Sequence, residues 1–152
     1  MIEPKSTDEP LARFVWRTAR AFAHHLGRSF HQAGYDVTPE QWKILRNLWE
    51  QDGQSQQQLA HCSVKDKASI TRLIDGLERR NLVVRIPDQH DRRQKRIYLT
   101  HRGKELQKPL SEIVKQTQDV AQMNINEADL ALCKAVLQQV YDNLNTPRSE
   151  NP

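Results

Sequence analysis

Two helix-start signals seventeen residues apart constrain this chain more than any other feature. Thr38-Pro39-Glu40-Gln41 puts threonine at an N-cap, proline at the first helical position and glutamine at the third. That is a capping box in which the missing proline N–H removes nothing the helix needs. Ser55-Gln56-Gln57-Gln58 repeats the box. Between them Trp42, Leu45, Leu48 and Trp49 share one helical face, and Gln51-Asp52-Gly53 ends that helix. The second helix is short, with Leu59 and Ala60 inside it and an end near His61 or Cys62. A third helix is predicted from about Asp66 to Arg80. Its inner stripe is Ile70, Leu73, Ile74 and Leu77, and Ser69, Thr71, Arg72 and Asp75 fall off that stripe. Asn81 is placed to take the left-handed position that follows a helix.

Leu82 to Ile86 then reads as a strand, Pro87 to Lys95 as a polar connection, and Arg96 to Leu99 as the returning strand. A two-stranded wing is the expected result. Longer helices flank this middle part. The first is predicted from about Asp8 to about Ala33, with Leu11, Phe14, Val15, Thr18, Phe22, Leu26 and Phe30 at helical spacing. Thr100 is the expected N-cap of another, His101 to Met123, which Pro109 should kink. The last begins at Asn126 and runs to about Leu144, with Leu130, Cys133, Leu137, Val140, Tyr141 and Leu144 as its stripe. Stripes this long exceed what one small domain needs. The expected division is a long N-terminal helix in residues 1–37, a central unit in 38–100, long C-terminal helices in 101–145 and a flexible tail in 146–152.

Charge is concentrated where the elements are shortest. Residues 65–96 carry ten Lys/Arg against five Asp/Glu, a net +5, while the rest of the chain carries 13 against 14. A localised positive excess is the electrostatic footprint of a polyanion. The start MIEPKSTDEP lacks the order of a secretory signal, and no apolar run is long enough to span a bilayer, so a cytoplasmic protein without membrane contact is expected. No nucleophile–base pair, glycine-rich phosphate loop or cofactor motif is present, which argues against an enzyme and against a cofactor. His24 and His25 diverge on a helix, and His61-Cys62 lacks further ligands at zinc spacing, so no metal is expected.

Three short helices followed by a β-ribbon make a winged helix-turn-helix, whose second helix of the pair enters the major groove. The expected fold is mainly α with a small β-hairpin wing and long terminal helices. Short hydroxyls at Ser69 and Thr71 let such a helix approach base edges, and Arg72 reaches guanine O6 and N7. Lys65 and Lys67 at the helix start suit phosphates. Arg92 and Arg93 near the wing tip suit a narrow minor groove, with Asp91 able to hold an arginine fork.

Leu59-Ala60, the run from Asp66 to Asp75, the run from Leu77 to Val83, Asp88, Asp91-Arg92-Arg93, and Leu99-Thr100 with Gly103 together closely resemble the MarR family (multiple antibiotic resistance regulators). The resemblance covers residues 38–103 and departs from the pattern at Asn81, where glycine is usual. It implies a homodimer joined by the terminal helices of residues 1–37 and 101–145, binding a pseudo-palindromic site on double-stranded DNA. It implies that Thr71 and Arg72 contact bases, that Arg93 enters the minor groove oriented by Asp91, and that Thr38, Ser55, Gln56 and Lys67 touch phosphates. It also implies a regulator, more often a repressor, released by a small aromatic or amphipathic ligand. Trp16, Phe22, His25 and Trp42 could border that ligand, or be plain core aromatics. Two other readings stay open: a winged-helix module used only for protein contacts, and a redox sensor acting through Cys62. For Cys62 and Cys133 packing is the simpler expectation.

Overall fold

The computed structural model describes residues 8–63 and 66–146, the side chains of residues 62 and 63 excepted. Ten elements follow one another: α1 (Leu11–Gln32), α2 (Pro39–Glu50), β1 (Gln54–Ser55), α3 (Gln56–Ser63), α4 (Lys67–Arg79), β2 (Val83–Pro87), β3 (Lys95–Leu99), α5 (His101–Glu105), α6 (Gln107–Ala121) and α7 (Glu127–Asn145).

Both predicted boxes form. Thr38 Oγ1 accepts from the Gln41 N–H at 3.2 Å, and the Gln41 side chain accepts from the Thr38 N–H at 3.2 Å. Ser55 and Gln58 exchange the same bonds at 3.1 and 2.8 Å. Asp66, Thr100 and Asn126 cap α4, α5 and α7. Asn81 sits at φ 57°, in the left-handed region its short amide tolerates.

Several boundaries differ from expectation. Helix α1 begins at Leu11, because Pro10 serves as an N-cap with no side-chain bond and the Asp8 start is not used. The strand β2 extends to Pro87, whose missing N–H faces the open edge of the sheet. The kink expected at Pro109 is a break at Leu106, which separates α5 from α6. Pro109 thereby falls in the first turn of α6, where no N–H is required. The hairpin also gains a partner: Gln54 and Ser55 pair antiparallel with Ile97 and Arg96, giving a three-stranded sheet of order β1-β3-β2.

One apolar core unites these pieces. Phe30, Ile44, Leu45, Leu48, Leu59, Ile70, Ile74, Leu77, Val83, Ile97 and Leu110 are fully buried. They come from α1 through α6, so the stripes of α2 and α4 and the inner face of the wing close on each other. Gly103 is required where α5 meets the turn before β2, since a Cβ there would run into the Leu82 carbonyl oxygen. Beside it the Trp49 indole N–H donates to the Gly103 carbonyl at 2.9 Å.

The outer helices are different. No residue of α7 is buried, and Leu132, Val136, Leu137, Tyr141 and Leu144 are all exposed. Leu132 and Val136 lie beside the predicted stripe, so the apolar band of α7 is wider than its sequence periodicity suggested. Leu11, Val15, Trp16 and Phe22 of α1, Val120 of α6 and Met123 just after it are exposed as well. The expected packing of Cys133 is not found within the chain, where it is exposed.

Candidate nucleic-acid interface

The α4 helix is anchored by its own polar residues. The Asp66 carboxylate accepts from the Ser69 backbone N–H at 2.8 Å and from the Ser69 hydroxyl at 2.8 Å. Those bonds, the backbone one first, hold its carboxyl below the usual range. The Thr71 hydroxyl donates to the Lys67 carbonyl at 2.9 Å and accepts from the Gln56 side-chain amide. Gln56 thus ties the start of α3 to the exposed side of α4. Arg72 is exposed, and among the described residues no carboxylate pairs with it.

A cleft of about 220 Å³ opens between the start of α3, the start of α4 and the wing. Ser55, Gln56, Gln57, Lys67, Arg93, Gln94 and Lys95 line it. The fold therefore brings together four predicted residues, Ser55, Gln56, Lys67 and Arg93. Thr38 is exposed at the start of α2 and lies outside the cleft, its oxygen already accepting a cap bond. Lys65 and the Cys62 side chain lie outside the described residues.

The wing is shaped by Asp88, which the sequence pattern includes without indicating a role for it. Asp88, only 7% exposed, accepts from the His90 N–H at 2.8 Å and the Asp91 N–H at 3.3 Å. Its second oxygen takes the Arg96 guanidinium, and Arg96 also donates to the Gly53 carbonyl at 3.0 Å. Arg96 first, and then the His90 amide, hold the Asp88 carboxyl down to about 2. The role expected of Asp91 is corrected here. Its carboxylate accepts from the Arg93 backbone N–H at 3.0 Å, and no guanidinium pairs with it among the described residues. A short aspartate two residues ahead satisfies a turn amide more readily than it reaches a guanidinium that solvent surrounds. Arg92 and Arg93 remain exposed.

Arg85 of β2 joins wing and helix. It reaches Asp75 at 2.6 Å, Glu78 at 2.5 Å and the Thr71 carbonyl at 3.4 Å. At the far end of α4, Arg80 holds Asp36 through two bonds of 2.7 and 3.1 Å and its own Gly76 carbonyl at 3.0 Å. The Arg80 bond lowers the Asp36 carboxyl. Neither pair follows from spacing: the partners are brought together only by the fold. The one available signal was several unclaimed acids within a basic segment.

A second cavity, of about 540 Å³, lies between α1, α2, α6 and α7. Phe22 and Trp42 line it as expected, with Leu26, Arg46, Val114 and Thr117. Trp16 and His25 do not. Trp16, 73% exposed, sits in a separate cleft with Arg13, Arg17 and Arg20, and His25 is half-buried on α1. Two atoms of the lining, Trp42 Nε1 and Thr117 Oγ1, are buried without a hydrogen-bond partner among the described residues. The Arg46 guanidinium lies 5.4 Å from the Trp42 ring centroid. No group of three or more His, Cys, Asp and Glu side chains forms a metal set among the described residues.

Comparison with known proteins agrees with this geometry. The MarR family model matches residues 37–95. The HTH-type transcriptional regulator FarR of Neisseria gonorrhoeae is 30% identical over 114 residues, 73% of this chain and 78% of that protein. The HTH-type transcriptional regulator TtmR of Methylorubrum extorquens (strain PA1) is 33% identical over 106 residues, 68% of this chain. The matched region spans 52% of TtmR, about half its length. Among solved structures, Bordetella bronchiseptica BpsR, whose DNA binding is regulated by 6-hydroxynicotinic acid, shares the fold. Its TM-score is 0.79 at 20% identity, over 92% of this chain and 99% of that one. With a winged helix-turn-helix of the right order and a relative matched over most of its length, this chain belongs to the MarR family of transcriptional regulators, not to a class of enzymes.

Proposed function

We propose that the chain represses transcription by binding a pseudo-palindromic operator as a homodimer, residues 38–100 gripping DNA and residues 1–37 and 101–145 joining the subunits. One observation carries the reading. Lys67, Arg93 and Lys95 line a single cleft between a helix and a β-ribbon, and that same helix carries the exposed Arg72. A helix reads the major groove and an arginine-tipped wing suits the adjacent minor groove. In this reading Arg72 and Thr71 meet bases. Ser69 borders them but spends its hydroxyl proton on Asp66. Lys67, Ser55 and Gln56 meet phosphates, and Arg92 and Arg93 meet the minor groove. The dimer follows from α7, a helix of 19 residues with nothing buried. Such a helix is marginal in water unless its apolar face is covered. Among the described residues no helix is long and apolar enough to cross a membrane.

The test selects duplexes from a randomised library with the intact protein and measures affinity against salt. Neutralising several phosphates per dimer predicts a steep fall of affinity with rising salt. A flat salt response with no selected sequence would favour the protein-contact module instead.

The cavity beside α2 supports a ligand-responsive regulator. Its apolar walls, the unpartnered Trp42 N–H and Thr117 hydroxyl, and the nearby Arg46 suit a small aromatic acid. An aromatic carboxylate should release the protein from the selected duplex and quench Trp42 fluorescence together. Quenching without release would leave the cavity a binding site with no regulatory role.

A further inference from the structure

We propose that Thr71 reads its base through its methyl group rather than its hydroxyl, so that each operator half-site contains a thymine recognised by its 5-methyl. The inference rests on the reading that α4 enters the major groove, and it follows from the hydrogen bonds at the exposed side of that helix. The Thr71 hydroxyl has one proton, and the Lys67 carbonyl takes it at 2.9 Å. One of the two lone pairs of its oxygen is taken as well, accepting from the Gln56 amide. The neighbouring Ser69 hydroxyl is committed in the same way to Asp66 at 2.8 Å. Neither hydroxyl is then a donor for a base, although both residues are of the type that forms such bonds.

Beyond the one lone pair that remains, what Thr71 offers is Cγ2. In the major groove the apolar feature is the thymine methyl, and a threonine methyl is a natural partner for it. Gln56 acquires a role the sequence did not suggest. By holding the hydroxyl inward from α3, it selects the rotamer of a β-branched side chain whose Oγ1 can otherwise sit in two positions. Gln56 is a positioning residue and Thr71 a specificity-determining one. Arg72, the next residue, is an exposed donor fork with no carboxylate partner among the described residues, suited to guanine. The half-site is thus expected to present a guanine and a thymine close together, read by one donor group and one apolar group.

Deoxyuridine differs from thymidine only by that methyl, so the DNA can be altered without touching the protein fold. Duplexes selected from a randomised library are synthesised with each symmetry-related pair of thymines replaced by deoxyuridine. They are titrated by fluorescence anisotropy with the parent, Thr71→Val and Thr71→Ser. Burying one methyl corresponds to about fourfold in affinity per half-site, or about fifteenfold for the two together. One thymine pair should show that loss with the parent. Thr71→Val should bind within about twofold of the parent and keep the sensitivity, since it keeps a methyl. Thr71→Ser should be as weak on the thymine duplex as the parent is on the deoxyuridine duplex, and indifferent to the replacement. Equal parental affinity for every deoxyuridine duplex overturns the inference. So does a Thr71→Val variant as weak as Thr71→Ser. If no duplex is selected at all, the DNA-binding reading fails, and this inference fails with it.

Discussion

The central unit and the outer helices of this molecule contrast in how completely each satisfies itself. From α2 to β3 the apolar stripes are covered and the strategic charges are paired. Arg85 spans Asp75 and Glu78, Arg96 holds Asp88, and Arg80 holds Asp36. The outer helices leave large apolar residues in solvent, Tyr141 at 62% and Leu144 at 80% exposure among them. The difference teaches that one half of the chain carries its own structural information, while the other half leaves an apolar face that the proposed second copy would cover. Arg72, with no carboxylate partner among the described residues, stands on the finished half, where a rigid scaffold can aim it.

The sharpest way to break the comparison is to charge the outer helices. Val136→Asp with Tyr141→Asp should give a monomer by sedimentation, and duplex affinity should fall by at least about 100-fold as the two half-sites cease to be bound together. If the variant remained dimeric with full affinity, the contrast would have another origin. Next in size is Arg72→Ala, which should weaken binding by about 1–3 kcal/mol and relax the preferred base at one position, while thermal unfolding stays unchanged. Arg85→Met follows. It should lower stability by about 1 kcal/mol in urea and duplex affinity by about tenfold, because wing and helix lose their shared anchor and Asp75 and Glu78 face the phosphates uncompensated. The smallest effect concerns acid. Asp88 has a carboxyl held at about 2, below its ordinary 3.8, so its contribution is present above about pH 4 and is lost as pH falls toward 2. Protection of the wing amides, taken relative to the intrinsic exchange rate at each pH, should fall over that window in the parent. Asp88→Asn should show low protection at every pH.

Much of the finished half was legible because its signals are local. A capping box needs residues three apart, and Asn81 needs only its own backbone, so both emerge from a short window of sequence. The sheet was half legible: β2 and β3 announce themselves by composition, but β1 is two residues long and has no periodicity. It exists because β3 presents an open edge more than forty residues later. The ion pairs of Arg85 and Arg80 were illegible for a related reason, since each joins elements whose relative placement only the core decides. Asp91 was misjudged because its motif suggested a side-chain partner, whereas the nearest unsatisfied donor was a backbone amide. In the cavity, Phe22 and Trp42 were found by aromatic type, while Trp16 failed because a helix carries aromatics on all sides. Thr117 and Arg46 were overlooked, being ordinary residues made unusual by their surroundings.

Thr100 closes the molecule in an instructive way. Its hydroxyl donates to the Asn81 carbonyl at 2.7 Å and accepts from the Gly103 N–H at 3.0 Å, so one atom fastens the end of α4 to the beginning of α5. In the proposed dimer that fastening would carry a tilt of the outer helices into α4 and the ribbon, so that a small angular change where the subunits meet would alter the separation of the two reading heads.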